Sequence, residues 1–272
     1  MNELRVSLVQ ADIAWENKEK NLKYYGDLLE ALAGKTDLVV LPEFFSTGFS
    51  MRVGHLAETN DDRTISTICS WAKDLDAAIC GSFLAQGDAG KVFNRGFFIT
   101  PGDSAGTSTF YDKRHLFRMS GENEHFSAGD RKLTVPYKGW NIRLIICYDL
   151  RFPVWTRNLG NEYDLLVCPA NWPAVRSKVW QILLQARALE NQAYVCGVNR
   201  IGVDGSNTRY QGDSVLLDFK AIPVIETEQN LTSVVTGVIQ KDALADFRKK
   251  FPVWMDADGW PLFGAHSEIS LL

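Results

Sequence analysis

The stretch TDLVVLPEF, residues 36–44, returns later in the chain as YDLLVCPANW, residues 163–172. Asp37 matches Asp164 and Pro42 matches Pro169. In both, an acidic residue opens an unbroken apolar run and a proline closes it. Such a run reads as a strand buried on both faces, as in parallel sheets covered by helices. The likeness continues. WAKDLDAAICGS (71–82) resembles ARALENQAYVCGV (186–198), a helix running into a strand that ends on Cys-Gly. A strand pair follows each, RGFFITPGD in the first half and DSVLLDFKAIPV in the second. Two βαβ-type halves of one layout predict a single α/β domain over residues 1–272, with a pseudo-two-fold, two packed sheets and helices outside.

The remaining elements agree with that layout. LRVSLVQADI reads as a strand. NKEKNLKYYGDLLEALAG spaces Leu22, Tyr25, Leu28, Leu29 and Leu32 as one helix face, and Gly34 is a natural stop. TISTICSWAKDLD reads as a second helix and AAICGSFLA as a strand. KVFNRGFFIT and STFYDKRHLF form a hairpin turned by PGDSAG. The end of the chain, from FRKKFPVWMDADGW onward, is rich in Trp and Phe and should dock on its own core or on a partner.

Composition narrows the function classes. The chain has 272 residues, 46% hydrophobic and 23% charged, with a net charge of -4. That length supports an ample core. The acidic balance argues against nucleic-acid binding. No apolar run reaches the ~18 residues of a membrane span. MNELRVSLVQAD lacks a basic segment and a long apolar one, so no export signal is expected. The five cysteines, 69, 80, 147, 168 and 196, are odd in number and form no CxxC pair, which points to reduced thiols in the cytoplasm. The four histidines have no metal-ligand spacing, and no glycine-rich phosphate loop occurs, so neither metal nor nucleotide cofactor is expected.

Chemistry concentrates in IRLIICYDLRFPVW, residues 142–155. A core strand runs out on Cys147, and Tyr148, Asp149 and Arg151 crowd after it. An unpaired cysteine is often an inert buried residue. At a strand's C-terminal end it can instead be a nucleophile, and it then needs a base or a cation nearby. LPEFF offers Glu43 just past a strand, where burial would raise its pKa and make it a base. The bland alternative is a solvated carboxylate. YDKRHLF offers Lys113, alternating with Tyr111 and His115 on one side of a strand, and the bland alternative is a surface lysine.

Glu43, Lys113 and Cys147, each at the end of an expected strand and in this chain order, resemble the Glu–Lys–Cys triad of the nitrilase, or carbon–nitrogen hydrolase, superfamily. The family's second glutamate is matched in MSGENEHFSAGD by Glu122, with Glu124 as its rival. ANWP (170–173) and RALENQAYV (187–195) fit as well, so the resemblance spans nearly the whole chain. True nitrilases follow their cysteine with Trp-Glu; CYDLRFP is similar instead to the omega-amidase branch, and in particular to its bacterial type.

The resemblance implies a four-layer α-β-β-α sandwich that pairs as a homodimer, without a cofactor. It implies an amidohydrolase that cleaves the terminal amide of a small 2-oxo acid, 2-oxoglutaramate or 2-oxosuccinamate, through a cysteine thioester. In those roles Glu43 is the base, Cys147 the nucleophile, Lys113 and the Tyr148 N–H the oxyanion donors, and Glu122 a positioning group. Phe44, Phe117, Asn171 and Trp172 are candidate pocket residues, and Arg118, Arg200 and Arg209 candidate anchors for the substrate carboxylate. Arg151 is expected to brace the loop through Asp149. Two other readings stand beside this one: a nitrilase-superfamily amidase or carbamoyl hydrolase with another small substrate, and a catalytically idle scaffold, whose sign would be a lost triad member.

Overall fold

The computed structural model describes residues 2–257. The first half of the chain forms β1 (Glu3–Gln10), α1 (Lys18–Leu29), β2 (Leu38–Val40), α2 (Arg63–Leu75), β3 (Ala78–Gln86), β4 (Val92–Ile99) and β5 (Thr109–Asp112). Then come α3 (Glu122–His125), β6 (Leu133–Tyr137), β7 (Trp140–Leu144), α4 (Pro153–Thr156), β8 (Leu165–Ala170) and α5 (Ser177–Asn191). The chain continues through β9 (Tyr194–Asn199), β10 (Ile201–Val203), β11 (Arg209–Gln211), β12 (Val215–Leu217), β13 (Pro223–Glu226), β14 (Ser233–Gln240) and α6 (Lys241–Lys250).

Two six-stranded sheets result, ordered β14-β1-β2-β3-β4-β5 and β6-β7-β8-β9-β12-β13, with β10 and β11 in a separate ribbon. Step by step the two sheets match: antiparallel, parallel, parallel, antiparallel, antiparallel. The repeated stretches become β2 and β8, which occupy equivalent central places, each parallel to both neighbours.

Side-chain alternation explains the layering. Leu38 and Val40 of β2 join Leu4, Val6 and Leu8 in the core that also holds Ile142 and Leu144 of the other sheet. Val39 points the other way, onto Leu22 and Tyr25 of α1 and Ile65 and Ile68 of α2. On the far side α5 contributes Trp180, Leu184 and Ala188. Helices thus cover both outer faces of an α-β-β-α sandwich. Each buried leucine, isoleucine or valine among them contributes about 1.5–3 kcal/mol of transfer free energy. The sheets approach closely: a Cβ on Gly96 of β4 would lie 2.8 Å from Leu144 of β7.

The pseudo-two-fold extends to buried charge. Asp37 accepts from Arg5 N at 2.9 Å in its own sheet and from Lys138 Nζ at 2.6 Å, just past β6 of the other. Asp164 accepts from Asn141 N at 2.9 Å and pairs with Lys241, just past β14. Since β6 and β14 are equivalent edge strands, each aspartate ties its sheet to the other.

Some expected elements are shorter. β2 ends at Val40 and β7 at Leu144, short of Glu43 and Cys147. β5 ends at Asp112; the Lys113 N–H makes one more ladder bond, to Asn94 O at 3.0 Å, and the chain leaves the sheet. The first helix stops at Leu29, and a 3-10 turn carries Leu32 into the core. At the C-terminal side α6 docks on the molecule's own core, with Leu244 buried and the Phe247 ring stacked on Phe219 at 4.7 Å. Phe251 contacts Phe247, with ring centroids 6.1 Å apart, and a 3-10 turn follows over Val253–Asp256; the end beyond residue 257 lies outside the described residues.

Candidate active site

Glu43, Lys113 and Cys147 follow β2, β5 and β7, and the fold brings them together. Glu43 is fully buried. Its Oε1 accepts from Lys113 Nζ at 2.9 Å and Asn94 Nδ2 at 2.7 Å, and its Oε2 from Asn171 N at 2.8 Å. Asn171 Nδ2 also donates to the Glu43 carbonyl at 2.6 Å, so the segments after β2 and β8 clasp each other. Lys113 Nζ lies 3.0 Å from both oxygens of Glu122, which also accepts from Phe117 N at 2.6 Å and Asn94 Nδ2 at 3.1 Å. Glu124, the rival, is exposed.

Electrostatics follow from this packing. Burial pulls the Lys113 pKa down, but the carboxylates of Glu122 and Glu43 outweigh it and hold the ammonium above its ordinary value. Burial raises the Glu122 carboxyl while Lys113 pulls it down. Burial prevails and the carboxyl stands above its ordinary value, although Lys113, Asn94 Nδ2 and Phe117 N all donate to it. Burial, reinforced by Glu43, pushes the Cys147 thiol well up; Lys113 opposes this without reversing it. Burial and Glu43 thus favour the protonated thiol over the thiolate, the nucleophilic form of a cysteine.

Backbone geometry explains why the core strand runs out on Cys147. Ile145 N still bonds Val167 O at 3.0 Å, so the chain stays beside β8 past the end of β7. Cys147 then takes a left-handed φ of 43° and starts a 3-10 turn over Cys147–Arg151. That conformation costs a non-glycine residue about 1–3 kcal/mol and persists only where the surroundings enforce it. Asp149 does the enforcing. It accepts from Ile146 N at 3.1 Å, Tyr111 Oη at 2.7 Å, His115 N at 2.9 Å and, at 2.8 Å, meets His115 Nδ1. The Tyr148 N–H precedes the first bond of the turn, which Asp149 N donates to Ile146 O at 3.0 Å, and so has no acceptor within it.

Cys147, Lys113 and Asn171 reach the lining of a cleft of ≈ 940 Å³. Its walls include Phe49, Phe117, Tyr148 and Trp172, and its rim Trp15 and the loop 204–208 between β10 and β11. Of the expected pocket residues, Phe117, Asn171 and Trp172 thus line it. Two fall outside: Phe44 is wholly buried beside Phe49 and Phe126, and Arg118 is exposed and absent from the lining. Both depart from expectation because the chain turns sharply at Phe44, φ 47°, and Arg118 begins a surface 3-10 turn. Arg200 is buried against Tyr210, its Nη2 2.6 Å from Asp12. Arg209 stands on the rim, 3.1 Å from Asn230. Arg151 does not brace Asp149, whose oxygens are taken; it lines the cleft.

Sequence reading missed Asn94, which donates to both glutamates. Its signal was a lone amide inside the apolar strand VFNRGFF. The rim loop carried no signal.

Comparison with known proteins agrees with this geometry. Residues 5–249 match the model of the family described as Carbon-nitrogen hydrolase. Over 260 residues, 96% of this chain and 99% of the relative, the sequence is 42% identical to omega-amidase YafV of Escherichia coli strain K12. It is 29% identical, over 92% of this chain and 96% of the relative, to 2-oxoglutaramate amidase of Bacillus subtilis. The structure superposes on XC1258 of Xanthomonas campestris, a CN-hydrolase superfamily protein with an arsenic adduct in its active site. That match has a TM-score of 0.93 and 44% identity, and it covers 97% of this chain and all of that one. The chain belongs to the carbon–nitrogen hydrolase family.

Proposed function

We propose that the protein is an omega-amidase that releases ammonia from the terminal amide of a small 2-oxo acid such as 2-oxoglutaramate or 2-oxosuccinamate. The observation that carries this is the buried Glu43–Lys113–Glu122 cluster, whose Lys113 lines the same cleft as Cys147. Full-length likeness to proteins named omega-amidase and 2-oxoglutaramate amidase supports the substrate class.

In this reading Glu43 takes the thiol proton as Cys147 Sγ attacks the amide carbon. The Lys113 ammonium and the Tyr148 N–H face the oxyanion. Glu43 returns the proton to nitrogen, the C–N bond breaks and ammonia leaves a thioester. Water, deprotonated by Glu43, attacks that thioester, and the acid and the thiol are restored. Glu122 keeps Lys113 charged and in place. Phe117, Asn171 and Trp172 bound the substrate.

The same proposal covers a single domain over residues 1–272 that works as a homodimer in the cytoplasm. Val154, Ile182 and Leu189, 63%, 49% and 54% exposed on α4 and α5, support a pairing face. The five free cysteines support a reducing compartment. Sedimentation as a monomer at working concentration would remove the dimer from it.

Ammonia release tests the function. The expected result is turnover of 2-oxoglutaramate well above that of glutamine, asparagine, a carbamoyl amide or a simple nitrile. Preference for one of the latter would reassign the branch.

A further inference from the structure

We propose that Arg151 and Arg176 together form the subsite that grips the carboxylate and the adjoining oxo group of the substrate; this rests on the omega-amidase reading above. Four arginines line the cleft: Arg52, Arg151, Arg176 and Arg209. Two are committed and exposed, Arg52 to Glu16 and Arg209 to Asn230. Arg151 and Arg176 are half-buried, and neither guanidinium has a hydrogen-bond or carboxylate partner among the described residues. The lining holds one carboxylate, Asp204, and it is occupied by Ser206 N at 2.8 Å, Thr208 N at 2.9 Å and Tyr210 Oη at 2.8 Å.

Aromatic rings hold the two free cations. Arg176 Cζ lies 5.4 Å from the Phe117 ring, and Phe117 contacts Tyr148 at 5.0 Å. Arg151 Cζ lies 6.0 Å from Tyr148 and 5.0 Å from Trp172, whose Nε1 donates to Arg176 O at 2.9 Å. The five residues close a ring in the lining of the cleft, and Tyr148 is the neighbour of Cys147. A cation–π contact holds a guanidinium in place without using its N–H donors. Two such guanidiniums, half-dried and unpaired, suit a ligand with a carboxylate and a second acceptor oxygen beside it.

A 2-oxo acid has that pattern. A 2-amino acid has the same carboxylate but sets an ammonium where the oxo group would lie, facing two cations. The subsite therefore discriminates by repulsion as well as attraction, and rejects glutamine and asparagine.

The test uses Arg151→Gln, Arg176→Gln and the two Arg→Lys variants. One readout is the ratio of kcat/KM for 2-oxoglutaramate to that for its uncharged methyl ester. The other is protection of Cys147 from iodoacetamide by 2-oxoglutarate, which needs no turnover. Each Gln variant is expected to lower the ratio and weaken protection at least ~10-fold, as for a lost hydrogen bond to a charged group, with partial recovery in Lys. An unchanged ratio and unchanged protection would overturn the subsite, while wild-type turnover of the 2-oxo amide would leave the function standing. Arginine-dependent protection in a protein that hydrolyses no 2-oxo amide would do the reverse.

Discussion

Tyr111 Oη donates to Asp149 Oδ2 at 2.7 Å, bridging the strand that leads to Lys113 and the turn that carries Cys147. Trp155 Nε1 donates in turn to the same hydroxyl at 3.0 Å. One buried carboxylate thus sets the distance between ammonium and thiol. Asp149→Ala leaves Ile146 N, His115 N and Tyr111 Oη without their acceptor. The expected cost is about 3 kcal/mol or more, with kcat falling further than KM rises. Asp149→Asn keeps one acceptor oxygen and should fall between. Thermal unfolding and steady-state kinetics on both variants check this.

Glu122 touches Lys113 through both oxygens. Glu122→Gln keeps the shape and removes the charge that anchors the ammonium. A kcat loss of about 10²-fold is expected, of the size seen when an oxyanion donor is misplaced, with KM little changed. A KM effect alone would put Glu122 in binding rather than in positioning.

The raised Cys147 thiol pKa sets a pH dependence. The thiolate is the reactive form, so a raised pKa leaves little of it at neutrality and more at each step upward. Alkylation of the free enzyme by iodoacetamide should climb through pH 7 to 9 without levelling. Among the five cysteines Cys147 alone lines the cleft, while Cys80, Cys168 and Cys196 are fully buried. Peptide mapping should find Cys147 modified first and those three only on unfolding.

Asp37 supplies acid sensitivity. Burial pushes its carboxyl up, but hydrogen bonds from Arg5 and Lys138 prevail and hold it well below the usual range. A depressed carboxyl contributes stability above its unfolded pKa, about 4, and loses it as pH falls through the native value. Asp37→Asn should melt below the wild type at pH 7, and the gap should narrow as the pH drops below about 4. A gap that widens in acid would reverse the sign.

Gly129 closes the loop that carries Glu122, its N–H donating to Lys113 O at 2.9 Å. A Cβ there would meet Asp112 O at 2.1 Å, a backbone atom that cannot step aside. Gly129→Ala should cost about 1–3 kcal/mol, as overpacking does, and reduce kcat by shifting Lys113. Melting temperature and kcat read the two effects separately.

The architecture was legible because the repeated apolar runs at 36–44 and 163–172 dictate central parallel strands, and the structure sets them in equivalent places. Glu43, Lys113 and Cys147 each follow a strand, but position alone left each open to a bland reading; the resemblance of three motifs in one chain order singled them out. Distance along the chain hid the rest. Asn94 lies 51 residues from Glu43, and Asn171 lies 128. Their contacts exist only once both sheets have formed. Arg151 looked tied to Asp149 by proximity in sequence, yet the tight turn at Cys147 sends them to opposite sides of the loop: Asp149 is buried and Arg151 lines the cleft. Phe44 beside the base looked like a pocket residue, but the turn at φ 47° buries it.

The most direct test of the cysteine mechanism is the mass of the protein quenched in acid while it turns over 2-oxoglutaramate, followed by peptide mapping. The expected result is one acyl group, the substrate less ammonia, on the peptide that contains Cys147, removed by hydroxylamine as a thioester is and absent from Cys147→Ala. An acyl group on another side chain, or ammonia release undiminished in Cys147→Ala, would contradict it.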